Sequence, residues 1–558
     1  MDVLRQKAKQ ASQSFLENDV QYRLGFVEAE ASNPKTKHLG ETFTRSTEEG
    51  IQMLLSVDRD LIPLFEAALF SDRFDRFYKD ITEAIRNGGR VFISGCGATG
   101  RLAIRLEASF REAIVVAGKQ SPDMLRYIDS VHEIMTGGDY AIIRSVESFE
   151  DYTALGMAQA RDAGVRTGDI LIGVTATGET TSILGAAKAA LEDGARVWMI
   201  VCTDPATIVG RLKRADDVYT HENADSIYMH CGGMAVTGST RMQSSSIEQA
   251  VIGAALELAL ATLSDEGPCL QERKRALVRG FEECLTLLSA ERAITAMADQ
   301  IDKEHALYTQ GGRVTYFAQE YLLDVLSDTT ERCPTFSTPP FRPKSKKGEP
   351  PSWAFVKNPM LNTEDAWKAA FLRTPRCIQK TAEEYAAIGI LPEDIGKIPD
   401  VSLSALYDFP IGCEEDPERE GAQNLASFVA FDTEPTEDFF AHAKKYGAYS
   451  VLSLTDGGAR ANATRMKLFE HLGMKIALNT VSTGTMAKMG RVRGNYMVHL
   501  SISNKKLVDR ATRIISDLCG VDYETANYEL FYTKYLLESE ENNNSTTIET
   551  IRRLGQKK

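Results

Sequence analysis

Three short turns in this chain gather glycines and hydroxyls just where a helix is about to begin. The first is Gly95-Cys96-Gly97-Ala98-Thr99-Gly100, behind the apolar run Val91–Ile93 and ahead of Leu102, Ile104 and Leu106. Glycines in such a turn let the backbone come close to a ligand. The unpaired N–H groups and the dipole at the start of a helix favour an anion. The second turn carries Thr175, Thr177, Gly178, Thr180, Thr181 and Ser182. A helix cap explains one or two of these hydroxyls, but not all five. The third, Thr237-Gly238-Ser239-Thr240-Arg241, opens a helical run to about Leu263, and a simple N-cap explains it equally well. Together the three turns point to phosphate binding.

A dinucleotide is the competing ligand, because Gly95-x-Gly97-x-x-Gly100 fits its fingerprint. That site also needs an acidic residue at the end of the second strand, roughly 20 residues on. The next apolar run, Ala113–Ala117, is expected to be that strand, and it ends in Gly118 and Lys119. Asp123 comes too late, and Thr99 is a hydroxyl that a dinucleotide site does not require. No cofactor is expected. Nine cysteines without a C-x-x-C pair indicate reduced thiols and no metal site.

The elements that must position these turns follow from the pattern around them. Residues 1–80 read as mostly helical, broken at Asn33-Pro34. From Arg90 onward strand, turn and helix alternate, which predicts an α/β fold with a parallel sheet covered on both faces. Asp169–Val201 is the clearest such unit. The chain then repeats itself. Arg313–Phe317 echoes Arg90–Ser94, and Ser427–Leu454 echoes the strand–helix–strand unit, but the turns differ. Ala318-Gln319-Glu320 lacks glycine, and Asp432, Glu434, Glu437 and Asp438 stand where the first copy has threonines. Carboxylates there repel a phosphate, so the second copy reads as a scaffold and lid. Thr338–Ser352 reads as an exposed loop, and the polar tail around residues 540–544 as loose before a short final helix. Lys506 and Arg510, four apart, share a helix face.

A length of 558 residues allows more than one domain, and 43% hydrophobic with 25% charged residues is ordinary globular composition. A net charge of −14 argues against nucleic acid and anionic membrane as partners. No run is read as long and apolar enough to span a bilayer. The first residues read as a polar helix and not a signal peptide. A cytoplasmic protein is expected.

Five motifs in order, GCGATGR (95–101), VESFED (146–151), VTATGET (174–180), VTGSTRM (236–242) and LNTVSTGTM with the later SNKKLVDRA (478–511), resemble the N-acetylmuramic acid 6-phosphate etherases and their animal relatives, the glucokinase regulatory proteins. Both are built from sugar isomerase (SIS) domains. The regulatory type carries two in tandem plus a helical lid, which suits this chain's length and repeat. The resemblance implies two flavodoxin-like SIS domains at 81–290 and 291–480, with an N-terminal helical segment (1–80) and a C-terminal helical lid (481–558). It implies sugar-phosphate contacts at Gly97, Thr99, Gly100, Thr177, Gly178, Thr180, Ser239 and Arg241, with Asn504, Lys506 and Arg510 reaching over from the lid. The implied ligand is a hexose phosphate or amino-sugar phosphate, the implied protein partner a sugar kinase, and the implied assembly a monomer that mimics a dimer.

The etherases work with two glutamates, and general acid–base elimination needs two carboxyls of separated pKa. The family's motif places Glu150 in the base role. Its second glutamate falls, without a gap, on Ser109. Glu107 lies two residues away, about 200° around a helix, and should point elsewhere. A serine is a poor acid for a departing alkoxide. The resemblance therefore favours a sugar-phosphate-responsive regulator, with an active etherase as the alternative and a sugar-phosphate isomerase third.

Overall fold

Three strands of the first half are buried at consecutive positions, not alternate ones: Val91–Gly95 throughout, Ile170–Val174 throughout, and Arg196–Val201 from its second residue. Strands covered on both faces behave this way in parallel sheets. The computed structural model describes residues 2–144, 146–264, 269–431, 433–454, 463–500, 502, 504–542 and 544–555.

Five parallel strands, β1 (Val91–Gly95), β2 (Val131–Met135), β3 (Ile170–Val174), β4 (Arg196–Val201) and β5 (Ala224–Tyr228), form a sheet in the order β2-β1-β3-β4-β5. A second parallel sheet holds β6 (Val314–Phe317), β7 (Ala354–Lys357), β8 (Gly421–Phe431) and β9 (Tyr446–Leu454) in the order β7-β6-β8-β9. Its order copies the first four strands of the other sheet, so the repeat read from the sequence is a repeat of topology. In each sheet the order reverses at the first strand, and ligands of open α/β sheets bind at that point, outside the carboxyl ends.

Five helices frame that edge of the first sheet: α1 (Ala98–Gly118), α2 (Gln243–Leu263), α3 (Leu322–Phe336), α4 (Leu468–Lys488) and α5 (Lys505–Cys519). The α2 and α4 helices are buried nearly all round and pack on each other between the two halves. By length and hydropathy α2 would cross a membrane, which corrects the expectation that no stretch qualifies; here protein surrounds it. The N-terminal region is helical, with Asp2–Asn18, Leu39–Arg45, Thr47–Asp58, Leu61–Leu69 and Asp72–Arg86. The last helix is Thr546–Gly555.

Three further expectations meet the structure differently. Ala113–Ala117 is not a strand but the end of α1. A short alanine and valine run has no period of its own, and the long helix that contains it decides its state. The strand after α1 is β2, and the acid that follows it, Asp139, is fully buried on Arg373 rather than open to a ribose. In the 338–352 loop, 344–350 are exposed, but Thr338, Phe341 and Ser352 are buried, with Phe341 packed on Phe355 at 4.4 Å. Of the second copy's carboxylates, Glu434, Glu437 and Asp438 are exposed around the start of the helix Glu437–Ala443, while Asp432 lies outside the described residues. Asn543, in the polar tail, also lies outside them.

Candidate functional site

Gly97 has φ +55°, a conformation open to glycine and costly for other residues, and it turns the chain from β1 into α1. The first-turn amides of α1 therefore face the carboxyl edge of the sheet. Thr99 closes this turn with its own side chain. Its hydroxyl accepts from the Cys96 amide at 2.9 Å and donates to the Cys96 carbonyl at 3.0 Å. Burial pushes the Cys96 thiol well above its ordinary pKa, so it is no ready nucleophile.

A cavity of about 170 Å³ opens on this turn. Gly97 and Thr99 line it from α1, Thr136 from beyond β2, Thr175, Thr177 and Thr180 from beyond β3, and Ser239 and Arg241 from the turn before α2. Glu150, Asn504, Lys506 and Arg510 complete the wall from the first unit and the C-terminal segment. The three glycine- and hydroxyl-rich turns and the residues of the C-terminal segment thus meet in one place. Gly100 and Gly178 line no part of it: a Cβ on Gly100 would meet Met135, and Gly178 packs against Ile208 and Tyr219.

Several of the hydroxyls are shared within the turns. Thr175 and Thr180 pair at 2.9 Å, Thr136 pairs with Ser182 at 2.9 Å, and Thr177 donates to Glu179 at 3.2 Å. The Ser239 side chain makes no hydrogen bond among the described residues and faces the cavity. Asn504 caps α5, accepting from the Leu507 amide at 2.9 Å. Arg241 is largely committed to packing. Its guanidinium donates to Asp328, Ser482 and Thr483, stacks on Phe336, and its carbonyl accepts from Lys475 and Asn479. Helix α4, which carries the LNTVSTGTM motif, is the scaffold that holds this turn.

The electrostatics centre on two cations. Lys506 Nζ lies 3.7 Å from Glu150 and 4.0 Å from Glu179. Burial opposes its charge, but Glu150, Glu179 and Glu30 outweigh burial and raise its pKa. Arg510 lies across Gly238 and grips Glu30 through two hydrogen bonds of 3.0 and 2.6 Å. Glu30 is fully buried, which alone would raise its pKa, yet Arg510 and Arg513 hold it well below the usual carboxylate range. Asp151, beside Glu150, is pushed up to about 7 by burial and by that neighbour.

Sequence reasoning missed the contribution of the second unit. Glu331, Pro334 and Thr335 of α3 line the cavity, and Glu331 pairs with Arg101 of the GCGATGR motif at 2.5 Å. Arg332 anchors α3 to Glu304 on the helix Glu291–Thr309 and pairs within α3 with Asp328, and that anchor aims Glu331 at the site. Glu30 was missed as well. Only Arg510, one turn beyond the lid motif's Lys506, pointed to a need for a countercharge. Ser109, where the family's second glutamate falls, is buried on α1 and does not line the cavity. Glu107 does point away, into a cluster with Arg111, Arg373 and Arg376. Among the described residues no group of three metal-ligating side chains is gathered.

Residues 75–191 match the N-terminal SIS domain of glucokinase regulatory protein, and residues 494–557 match the C-terminal lid domain of the same protein. An N-acetylmuramic acid 6-phosphate etherase of Thermosynechococcus vestitus is 30% identical over 251 residues, 44% of this chain and 72% of that one. One from Aliivibrio fischeri is 32% identical over 174 residues, 31% of this chain and 50% of that one. Among solved structures, the tagatose-6-phosphate ketose/aldose isomerase of Escherichia coli aligns over 79% of this chain and 94% of that one, with 10% identity and a TM-score of 0.41.

Proposed function

Because this chain belongs to the SIS-domain family of N-acetylmuramic acid 6-phosphate etherases and glucokinase regulatory proteins, we propose that it binds a hexose phosphate or amino-sugar phosphate and acts as a sugar-phosphate-responsive regulator. One observation carries the reading: the anion turns of the first sheet, Glu331 of the second unit and Lys506 and Arg510 of the lid all line one cavity. The phosphate sits on the amides that open α1, within reach of Ser239 and Lys506. Glu150 and Glu331 take the sugar hydroxyls. A ligand held this way touches both repeats and the lid, so it favours the packing in which they meet. A partner that distinguishes packings is then coupled to the sugar, and the coupling is reciprocal. A sugar kinase is the partner class the family points to.

Etherase activity is the second reading, and Glu331 is the observation in its favour, because it supplies a carboxyl besides Glu150. Both carboxyls are engaged by cations, Glu331 by Arg101 and Glu150 by Lys506, and Ser109, where the family's second glutamate falls, lies outside the cavity, so binding is the first reading. Calorimetry with a panel of hexose and amino-sugar phosphates, with lactate release assayed in the same samples, separates the readings. We expect about one site per chain and no sustained lactate release. Efficient release of lactate would establish the lyase instead, and no binding of any sugar phosphate would remove both readings.

A further inference from the structure

Behind the Ala98 wall of the sugar-phosphate cavity lies a smaller one of about 40 Å³, lined by residues of α1, α2, α3 and α4. About 10–15 Å³ of such space suffices for one water, so this chamber has room for one small oxyanion. Its wall is unusual in charge. Arg105 of α1 is 6% exposed and donates no hydrogen bond among the described residues. Its Nε is buried without a partner, and the carboxylate it faces, Asp324, is 3.7 Å away and already bonded to His471 at 2.8 Å. A buried guanidinium left this way is costly unless a countercharge completes it.

The other carboxylates on the wall are engaged. Asp328 holds Arg332, Arg241 and Ser482, and Glu331 holds Arg101. Arg101 and Arg241 each also leave a buried Nε unpaired. Gln249 of α2, 3% exposed, lines the chamber with no hydrogen bond among the described residues. Donors therefore outnumber free acceptors along its wall. We infer that this chamber is a second anion site, distinct from the sugar-phosphate cavity, which takes a small oxyanion of the size of inorganic phosphate on Arg105 and Gln249. Ala98, Arg241 and Glu331 line both cavities, so an anion here acts on the walls of the larger site.

The test is a thermal melt of the full chain carrying Lys506→Ala, which weakens phosphate binding in the larger cavity, titrated with inorganic phosphate at constant ionic strength. Phosphate should raise Tm saturably, as a ligand of the native state does. Adding Arg105→Met should abolish that rise. Without phosphate this variant should melt close to its parent, because Asp324 keeps its bond to His471 and the guanidinium removed makes no hydrogen bond among the described residues. Gln249→Leu, on the opposite wall, should raise the apparent phosphate Kd about tenfold and keeps the test decisive if Arg105→Met does not fold. An unchanged phosphate response in either variant, or no saturable response in the Lys506→Ala parent, overturns the site.

Discussion

Gly238 and Arg510 are fitted to one another. The glycine has φ +72°, and a Cβ placed on it would lie 2.5 Å from Arg510 Nε and 3.0 Å from its Cδ and Cζ. Gly238→Ala therefore strains the turn and pushes Arg510 off it, along with the Glu30 pair that holds the N-terminal segment to α5. We expect a loss of about 1–3 kcal/mol of stability, read by urea denaturation, and at least a tenfold weaker sugar-phosphate affinity by calorimetry. An alanine variant with unchanged affinity would show that Arg510 does not serve the site. Ser109 gives the opposite lesson. Sequence alignment suggests that a glutamate there would restore an acid, but the side chain is buried on α1 outside the cavity. Ser109→Glu should release no lactate from N-acetylmuramic acid 6-phosphate while it lowers Tm, because it buries a carboxylate. Lactate production by that variant would mean that α1 presents this face to the substrate.

The C-terminal segment docks as an element, and its docking should depend on pH through His499. This histidine lies between the hairpin strands β10 (Val492–Arg493) and β11 (Tyr496–Met497) and helix α5, and its carbonyl accepts from Ser337 of the second unit. Burial, then Arg491, Arg552 and Arg493, bring its pKa down to about 4 from 6.5. The unfolded chain then binds a proton that the folded one refuses. Stability is intact above pH 6.5 and falls as the pH drops from there towards 4. Tm should decrease between pH 7 and pH 5, and His499→Gln should flatten that decrease. An equal decrease in both proteins would place the titration elsewhere. The elements themselves were legible where strand, glycine turn and helix follow each other within 30 residues, as in Asp169–Val201. Ala113–Ala117 was not, because its composition suits a strand and only the continuing helix overrules it. Glu331 was not legible either. It sits in DVLSDTTERCPTF with no ligand pattern around it, and only the pairing with Arg101, more than 200 residues away, brings it to the site. Nor does the motif reveal that the Thr99 hydroxyl serves the Cys96 turn, since that depends on the turn's closed geometry.

On the scale of the whole molecule, a few buried ionic contacts tie the two repeats together beside the apolar core they share, and Arg373 makes the most of them. It follows the helix Thr363–Phe371 of the second unit and enters the outer edge of the first sheet. There it donates to Glu107 on α1, to Glu133 on β2 and to Asp139 beyond it, all of them buried. Arg376 adds two more bonds to Glu107, at 2.8 and 3.1 Å. Burial would raise the Glu107 pKa, but the two arginines hold it low, whereas burial, and then Asp139 and Glu107 as neighbours, drive Glu133 up. Among the described residues Asp139 thus has its ion pair from Arg373 alone, while Glu107 shares Arg373 with Arg111 and Arg376 and Glu133 shares it with Arg376. The apolar core is continuous between the repeats and tolerates a lost contact, but this cluster does not, because removal of one partner strands charge that is already dehydrated. Arg373→Met keeps the side chain's bulk and removes the charge, so its effect reports the ionic link rather than a cavity. We expect a loss of about 3–5 kcal/mol in urea denaturation, larger than that of Lys35→Met at an exposed pair with Asp60, where about 0–1 kcal/mol is typical. If the link also makes the repeats unfold as one, the variant should show two transitions, with sugar phosphate restoring a single one by bridging Glu331 to the first sheet. A single transition, shifted by no more than the Lys35 variant's, would mean that α2 and α4 alone hold the repeats together.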